Sequence, residues 1–363
     1  MKSIFTKKVL ISVFLISSIA NGQEKGLFPK NEFVLKGEST VIGNNILSIH
    51  ASEPYNHIGY GAEKNDRLAM VYTDIDYDVE TFSSSSAHLQ LPISAENIVF
   101  AGLYWTATYP YEKGEMVKGN TEYLYSEEIK RIETYNQIKI KLPGDANYQS
   151  VKGEIIADKI DSIAKPYVCF ADVTSLLKNK KNVNGEFTVA NVRAAQGHLL
   201  GGSAAGWLLY LIYEDKNLPK KKFTLIHGCK PIVKGGYLYN IPSINKLPEP
   251  QSLAKITLGA LEGDERLKTD ELILMFNTNQ KQHLHTKTRE QRNFLNSSIT
   301  LNDSILGQRK PNSQNTLGFD IASISFDYDE QSTAKSLSQI NFNTVRDTYF
   351  LFFLAIEDFI AEE

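Results

Sequence analysis

Two cysteines, no basic excess and no second long apolar run mark what this 363-residue chain leaves out. Its net charge of −3 offers no concentrated positive surface, which excludes nucleic acid as a partner, because phosphate binding needs one. The basic runs Lys178–Lys181 and Lys220–Lys222 each sit at a turn between strand-like segments, where solvated charge is the expectation. Beyond the N-terminal stretch VLISVFLISSIA no segment is apolar for long enough to span a bilayer, so no transmembrane segment is expected in the mature chain. No cysteine stands near Gly22, which argues against a lipoprotein anchor. Helical periodicity is scarce, which argues against a helix-dominated body.

What is present begins with an address. Met1 to Gly22 has a basic start, a short apolar run and small residues at Ala20 and Gly22, the layout of a cleavable secretory signal. The expected destination is secreted or cell-surface. In an oxidising compartment Cys169 and Cys229 can pair, since they fall in separate strand-like segments; both also occupy apolar positions where free cysteine packs well.

The stretch Gly185–Asp215 organises the fold. Phe187–Val192 alternates with a period of two, as a pleated strand requires. Trp207–Tyr213 is apolar on both faces, which suits a central strand covered on both sides; at an edge it would invite aggregation. Gly197, Gly201, Gly202 and Gly206 free the loop between them for positive φ or close approach. Ile98–Tyr109 is a second strand of the same kind. Further strands are expected at 41–50, 138–142, 150–156, 167–170, 223–226, 254–261, 271–276, 298–301, 317–324, 339–343 and 349–356, with Asp172 capping a short helical turn over Ser175–Lys178. Tyr111–Glu133 reads as a long loop or insertion, and Cys229–Gln251, with Pro231, Pro242, Pro248 and Pro250, as a connection. The expected architecture is all-β: two β-sandwich, jelly-roll-like domains in series with few short helices. The signal takes 1–22, the first sandwich 23–230 and the second 231–363.

Two acidic stretches are candidate cation sites. Asp74, Asp76 and Asp78 stand at every second position and either wrap Ca²⁺ or form a solvated turn rim; the full EF-hand pattern is absent. Glu262, Asp264 and Asp270 form a polar turn that can hold a cation or simply close a hairpin. The hydrolase elbow is nearly met at Gly201-Gly202-Ser203, but Ala205 replaces the last glycine. His283 and His285 share a face if they lie on a strand and can bind a transition metal, although such pairs in a Gln- and Lys-rich loop are commonly solvated. Glu262, Asp264 and Asp320 leave a glycosidase pair open, since that mechanism needs two acids at the right separation.

AGLYWTAT (Ala101–Thr108), ADVT (Ala171–Thr174), GEFTVANV (Gly185–Val192) and GWLLYLIYED (Gly206–Asp215) together resemble the N-terminal module of large secreted bacterial adhesin-like proteins. These include gliding-motility adhesins exported by the type IX secretion system. DIDYDVETFSSSSAHLQLP, LGALEGD (Leu258–Asp264), NFLNSSI (Asn293–Ile299), NTLGFDI (Asn315–Ile321) and FFLAIE (Phe352–Glu357) extend the resemblance over Leu68 to Glu357. It implies a non-catalytic β-sandwich protein binding extracellular matrix, glycan or partner surface proteins. A cation-dependent carbohydrate-binding module or a glycan-active hydrolase is the alternative. Such proteins continue into repeats and a sorting domain, whereas this sequence stops at Glu363.

Overall fold

The computed structural model describes residues 26–58, 65–120, 122–180, 182–241, 253–327 and 336–360. The expected signal at 1–22 lies outside them, as does most of the proline-bearing connection after Ile241. The chain is all-β. Among the described residues there is one α-helix, Thr174–Lys178, beside a short 3-10 turn at Asn65–Arg67.

Four layers of sheet stack through three cores. A run of eleven strands forms the two inner layers, joined by the 19-residue strand Leu27–Asn45. Its first half, Leu27–Lys36, pairs with Lys220–Ile232, and its second half, Gly37–Asn45, pairs with Ala205–Glu214. The first inner layer continues through Ile98–Thr108, Pro166–Asp172 and Glu154–Ala157. The second continues through Tyr349–Phe359, Leu253–Leu261, Phe319–Asp327 and Ile299–Leu301. A five-stranded sheet built on Ser84–Leu89, Gly185–Ala190 and Gln137–Lys141 covers the first, and a four-stranded sheet built on Asp270–Phe276 and Leu337–Thr344 covers the second.

The double-sided apolar runs follow from this stacking. Along Ala205–Glu214, Trp207, Leu209, Leu211 and Tyr213 enter the core under the five-stranded sheet, while Leu208, Tyr210 and Ile212 enter the core shared by the two inner layers. Along Ile98–Thr108, Leu103 and Trp105 face the first core and Phe100 and Tyr104 the second. Indole N–H groups buried this way need acceptors. Trp207 Nε1 donates to Ser85 Oγ at 2.9 Å and Trp105 Nε1 to the Tyr135 carbonyl at 3.0 Å. The third core, around Leu258, Leu274, Ile340 and Ile356, fills the second sandwich.

Several expectations are corrected here. Tyr111–Lys118 and Tyr123–Lys130 form a hydrogen-bonded ribbon rather than a loop. The strand beginning at Lys220 runs on to Ile232, past the expected strand end at Ile226 and into the connection expected from Cys229. Gly228 permits this: at φ +146° it lies so close to the Gly26 carbonyl that a Cβ would come within 1.9 Å. The boundary expected between residues 230 and 231 therefore falls inside a strand. Lys221 is buried, contrary to its reading as a solvated turn residue. Its Nζ lies 2.6 Å from Glu357 Oε1 and 3.1 Å from Glu38 Oε2, and Lys255 reaches the same two acids. This charge-balanced quartet sits where Leu27–Asn45 passes from one inner layer to the other.

Candidate functional site

The first acidic stretch is a hydrogen-bonded turn. Asp74 Oδ1 accepts the Tyr77 N–H at 3.1 Å, and Asp78 Oδ1 accepts the Glu80 N–H at 2.9 Å. Asp76 Oδ2 accepts the Tyr148 hydroxyl at 2.6 Å and lies 3.4 Å from Lys141 Nζ. Burial works against the Asp76 carboxylate, but Tyr148, Ser84 and Lys141 outweigh it and hold the carboxyl below its ordinary range. Charge repulsion along the stretch is thus relieved by donors and a lysine. Among the described residues no group of three or more His, Cys, Asp or Glu side chains is placed to hold a metal ion. The described residues thus do not gather the acids of either stretch around a common cation position.

The second stretch joins a larger acidic cluster at the end of the second sandwich. Glu262 (at φ +65°), Asp270, Asp320 and Asp347 are all buried, and they come from four separate segments. Asp320 has a full set of partners: Arg289 Nη1 at 2.9 Å and the N–H groups of Ser298 and Ser297, each at 3.1 Å. Gly263 makes room for it, since a Cβ there would lie 2.1 Å from Asp320 Oδ2. The other three are half-satisfied. Glu262 Oε2 accepts from Asn65, Asp270 Oδ2 from the Leu295 N–H and Asp347 Oδ1 from the Thr348 N–H. Their remaining oxygens, Glu262 Oε1, Asp270 Oδ1 and Asp347 Oδ2, have no hydrogen-bond partner. Asp264 stays outside this buried group and caps the Arg266 N–H. The adjoining void, about 10 Å³, is too small for an organic ligand.

Protons take the place of cations in that cluster. Burial pushes Glu262 up to about 8, aided by Asp347, Asp264 and Asp66 against the Asn65 hydrogen bond. Burial likewise pushes Asp270 and Asp347 each up to about 7, with Asp320 acting on Asp270 and with Asp270, Asp264 and Asp320 acting on Asp347. The folded chain keeps protons that the unfolded chain releases near the ordinary carboxylate value of about 4. Between about pH 4 and pH 8 these three acids bind more protons in the folded state, so their contribution to stability falls as pH rises across that window, against the opposite contribution below about pH 6.5 of His227, which burial pushes down to about 3. The melting temperature is expected to be at least about 3 °C lower at pH 8 than at pH 5. Asp347→Asn, which mimics the protonated acid, flattens the profile; a native curve that is flat or rises from pH 5 to 8 refutes the assignment.

The remaining sequence candidates have structural occupations. Cys169 and Cys229 are both free and buried. They do not pair because Cys169 points into the first core and Cys229 into the one between the inner layers. Burial alone pushes the Cys229 thiol up to about 12. Ser203 is buried and its hydroxyl donates to the Ala195 carbonyl at 2.5 Å. His283 ends a short strand with Nδ1 3.7 Å from Glu271 Oε1, and His285 follows it into solvent. Asp172 accepts the Thr174 N–H at 2.9 Å from one residue before the cap position, which Val173 holds with no side-chain capping bond, so the expected Asp172 cap is not formed.

One cleft lies away from both acidic stretches and was not among the sequence candidates. It encloses about 740 Å³ between the 91–99 segment, the end of the Thr174–Lys178 helix, residues 182–184 and Tyr213–Glu214. Buried Leu91, Ile98, Leu177 and Tyr213 form its apolar side. Asn184 clamps one wall: its Oδ1 accepts the Leu91 N–H at 2.8 Å and its Nδ2 donates to the Leu91 carbonyl at 3.2 Å. Asn97 Nδ2 donates to Glu214 Oε2 at 2.8 Å on the opposite wall. Lys178, Lys180, Asn182 and Glu96 complete the polar lining. Asparagines flanking a lysine run were the available signal, but nothing in the pattern tells a groove wall from an ordinary turn.

No family model matches the chain, and no curated protein matches it. Among solved structures, the major capsid protein P2 of bacteriophage PM2 aligns at 8% identity with a TM-score of 0.21, covering 89% of this chain and 99% of its own. The STIV major capsid protein aligns at 8% identity with a TM-score of 0.20, covering 75% of this chain and 91% of its own. Scores this low carry no argument about fold or function.

Proposed function

We propose that the chain is an exported, surface-exposed, non-catalytic β-sandwich protein that binds an extracellular glycan or a partner surface protein, in the manner of an adhesin. The observation that supports this reading is the composition of the 740 Å³ cleft. Its volume falls in the range of small-ligand sites, and an apolar side faced by amides and charged groups is suited to orienting a ligand. Its two acids are already engaged, Glu96 with Lys216 at 2.7 Å and Glu214 with Asn97. Among the described residues its lining holds no serine, cysteine or histidine, so a serine- or cysteine-type nucleophile with a histidine base is not offered there. The motifs behind the resemblance to secreted adhesins serve the layered scaffold that holds this cleft.

The purified chain, incubated with glycan-coated surfaces and with cells, is expected to be retained while the sugars stay intact by chromatography. Release of shortened sugars would sink the non-catalytic reading, and absence of retention on every surface would sink the binding one. Val183→Arg, at a half-buried position in the lining, is expected to reduce retention at least tenfold, with the melting temperature within about 2 °C of the parent.

A further inference from the structure

We propose that the outer edge of Tyr123–Lys130 docks a second copy of this chain, strand against strand and antiparallel, across a two-fold axis at Ser126. The strand is the last of a three-stranded sheet and pairs only with Tyr111–Lys118, so among the described residues no strand covers its other side. Every residue from Tyr123 to Lys130 is exposed except half-buried Tyr125, whose hydroxyl donates to the Asp66 carbonyl at 3.2 Å. The strand contains no proline, and its exposed Tyr123, Leu124 and Ile129 are side chains that a paired strand would cover. An open edge of this kind is a template for one more strand.

Charge selects what that strand is. A two-fold axis across a sheet edge keeps each side chain on its own face, so opposed residues must be an even number of positions apart. Three such registers pair most of residues 122–130. Centred on Tyr125, Glu122 falls opposite Glu128; centred on Glu127, that carboxylate falls opposite its own copy. Like charges directly opposed destabilise a pair. Centred on Ser126, no like charges are opposed. Glu122 then meets Lys130 and Tyr123 meets Ile129, while Leu124 and Tyr125 lie against the aliphatic stems of Glu128 and Glu127. The Glu128 carboxylate is already balanced by Lys113 at 2.8 Å. Glu122 and Lys130 stand roughly 27 Å apart along their own strand, too far to pair within one chain. The edge is therefore complementary to itself in one register, a symmetry that a partner of another sequence would not require. So short an edge buries less than a standard interface, so the dimer is weak, with a dissociation constant on the order of 10–100 µM. The cleft contributes nothing to it, since none of its lining residues belongs to this ribbon.

Sedimentation velocity of the purified chain from about 5 to 500 µM is expected to show monomer passing into dimer. Lys130→Glu opposes two pairs of carboxylates at once and is expected to weaken the dimer at least fivefold; adding Glu122→Lys restores it. Ser126→Cys sets each new thiol against its own copy, with Cα atoms about 4.5–5.5 Å apart and inside disulfide range. Copper phenanthroline is expected to oxidise that variant to a covalent dimer. Leu124→Cys, roughly 14 Å from its copy, is expected to stay uncrosslinked. The native Cys169 and Cys229 are buried and do not interfere. A chain that remains monomeric throughout, a dimer indifferent to Lys130→Glu, or cross-linking no faster at position 126 than at 124 overturns the proposal.

Discussion

Replacing Arg289 with methionine is expected to cost about 3–5 kcal/mol, because it strands a buried carboxylate. Arg289 and Asp320 are both fully buried, with 0% of either side chain exposed. The guanidinium uses every nitrogen. Nε donates to Thr300 Oγ1 at 2.7 Å, Nη1 to Asp320 Oδ1 at 2.9 Å and to the Phe294 carbonyl at 2.5 Å, and Nη2 to the carbonyls of Ser298 and Ile321 at 2.7 and 2.9 Å. One side chain thus ties the 293–300 segment to the Phe319–Asp327 strand. Methionine fills much of the volume but takes a donor from the carbonyls of Phe294, Ser298 and Ile321, of which Ser298 keeps the Ile321 N–H at 3.1 Å, and leaves Asp320 with only two backbone N–H groups. Asp320→Asn alone is expected to destabilise too, since it leaves the guanidinium charge unpaired.

The double variant separates pairing from packing. If the ion pair dominates, Arg289→Met with Asp320→Asn costs clearly less than the sum of the single changes, with a coupling of roughly 1–3 kcal/mol. Thermal or urea unfolding of the four proteins measures it. A loss below about 1 kcal/mol for Arg289→Met, or strict additivity, would show that the fold does not depend on this pair.

The same region shows where sequence reading stops. Strand positions were legible because an apolar run of seven to twelve residues flanked by turn residues has few other uses. Trp207–Tyr213 and Ile98–Tyr109 even declared their double coverage, and the two inner layers explain it. Leu27–Lys36 was not legible. LFPKNEFVLK mixes charged and apolar residues, because this half-strand is largely half-exposed and pairs with Lys220–Ile232 along one edge. The ribbon Tyr111–Lys130 fails for a related reason: Tyr123–Lys130 buries nothing, so no period of two survives.

The acidic cluster was half legible. Density of acids marked Glu262, Asp264 and Asp270, but local spacing cannot show that Asp347 joins them from a turn 77 positions after Asp270. Nor can it show that Arg289, set in a run of lysines and glutamines, turns inward. LGALEGD, NFLNSSI and NTLGFDI resembled a family as separate strings. In the folded chain Gly263, Ser297 and Asp320 meet within them, so these stretches read as one packed joint rather than as ligand-binding motifs.

Phe353→Ala is expected to cost about 3–5 kcal/mol and to weaken both sandwiches at once. Phe353 belongs to Tyr349–Phe359 in the second half, yet its ring lies 4.9 Å from Tyr104 and 5.1 Å from Tyr210, on two strands of the first half. Those contacts sit in the core between the inner layers, where truncation leaves a cavity that rigid strands on both sides cannot collapse to fill. A connection made by a flexible linker alone would confine the loss to one half. Here Leu27–Asn45 pairs with strands of both, and Lys221, Lys255, Glu38 and Glu357 tie the crossover between them. Unfolding should therefore stay a single transition. Trp105 and Trp207, both in the first sandwich, report it by fluorescence. If Phe353→Ala leaves their transition where it was while far-ultraviolet circular dichroism shows an earlier one, the sandwiches are energetically independent and the shared core does not couple them.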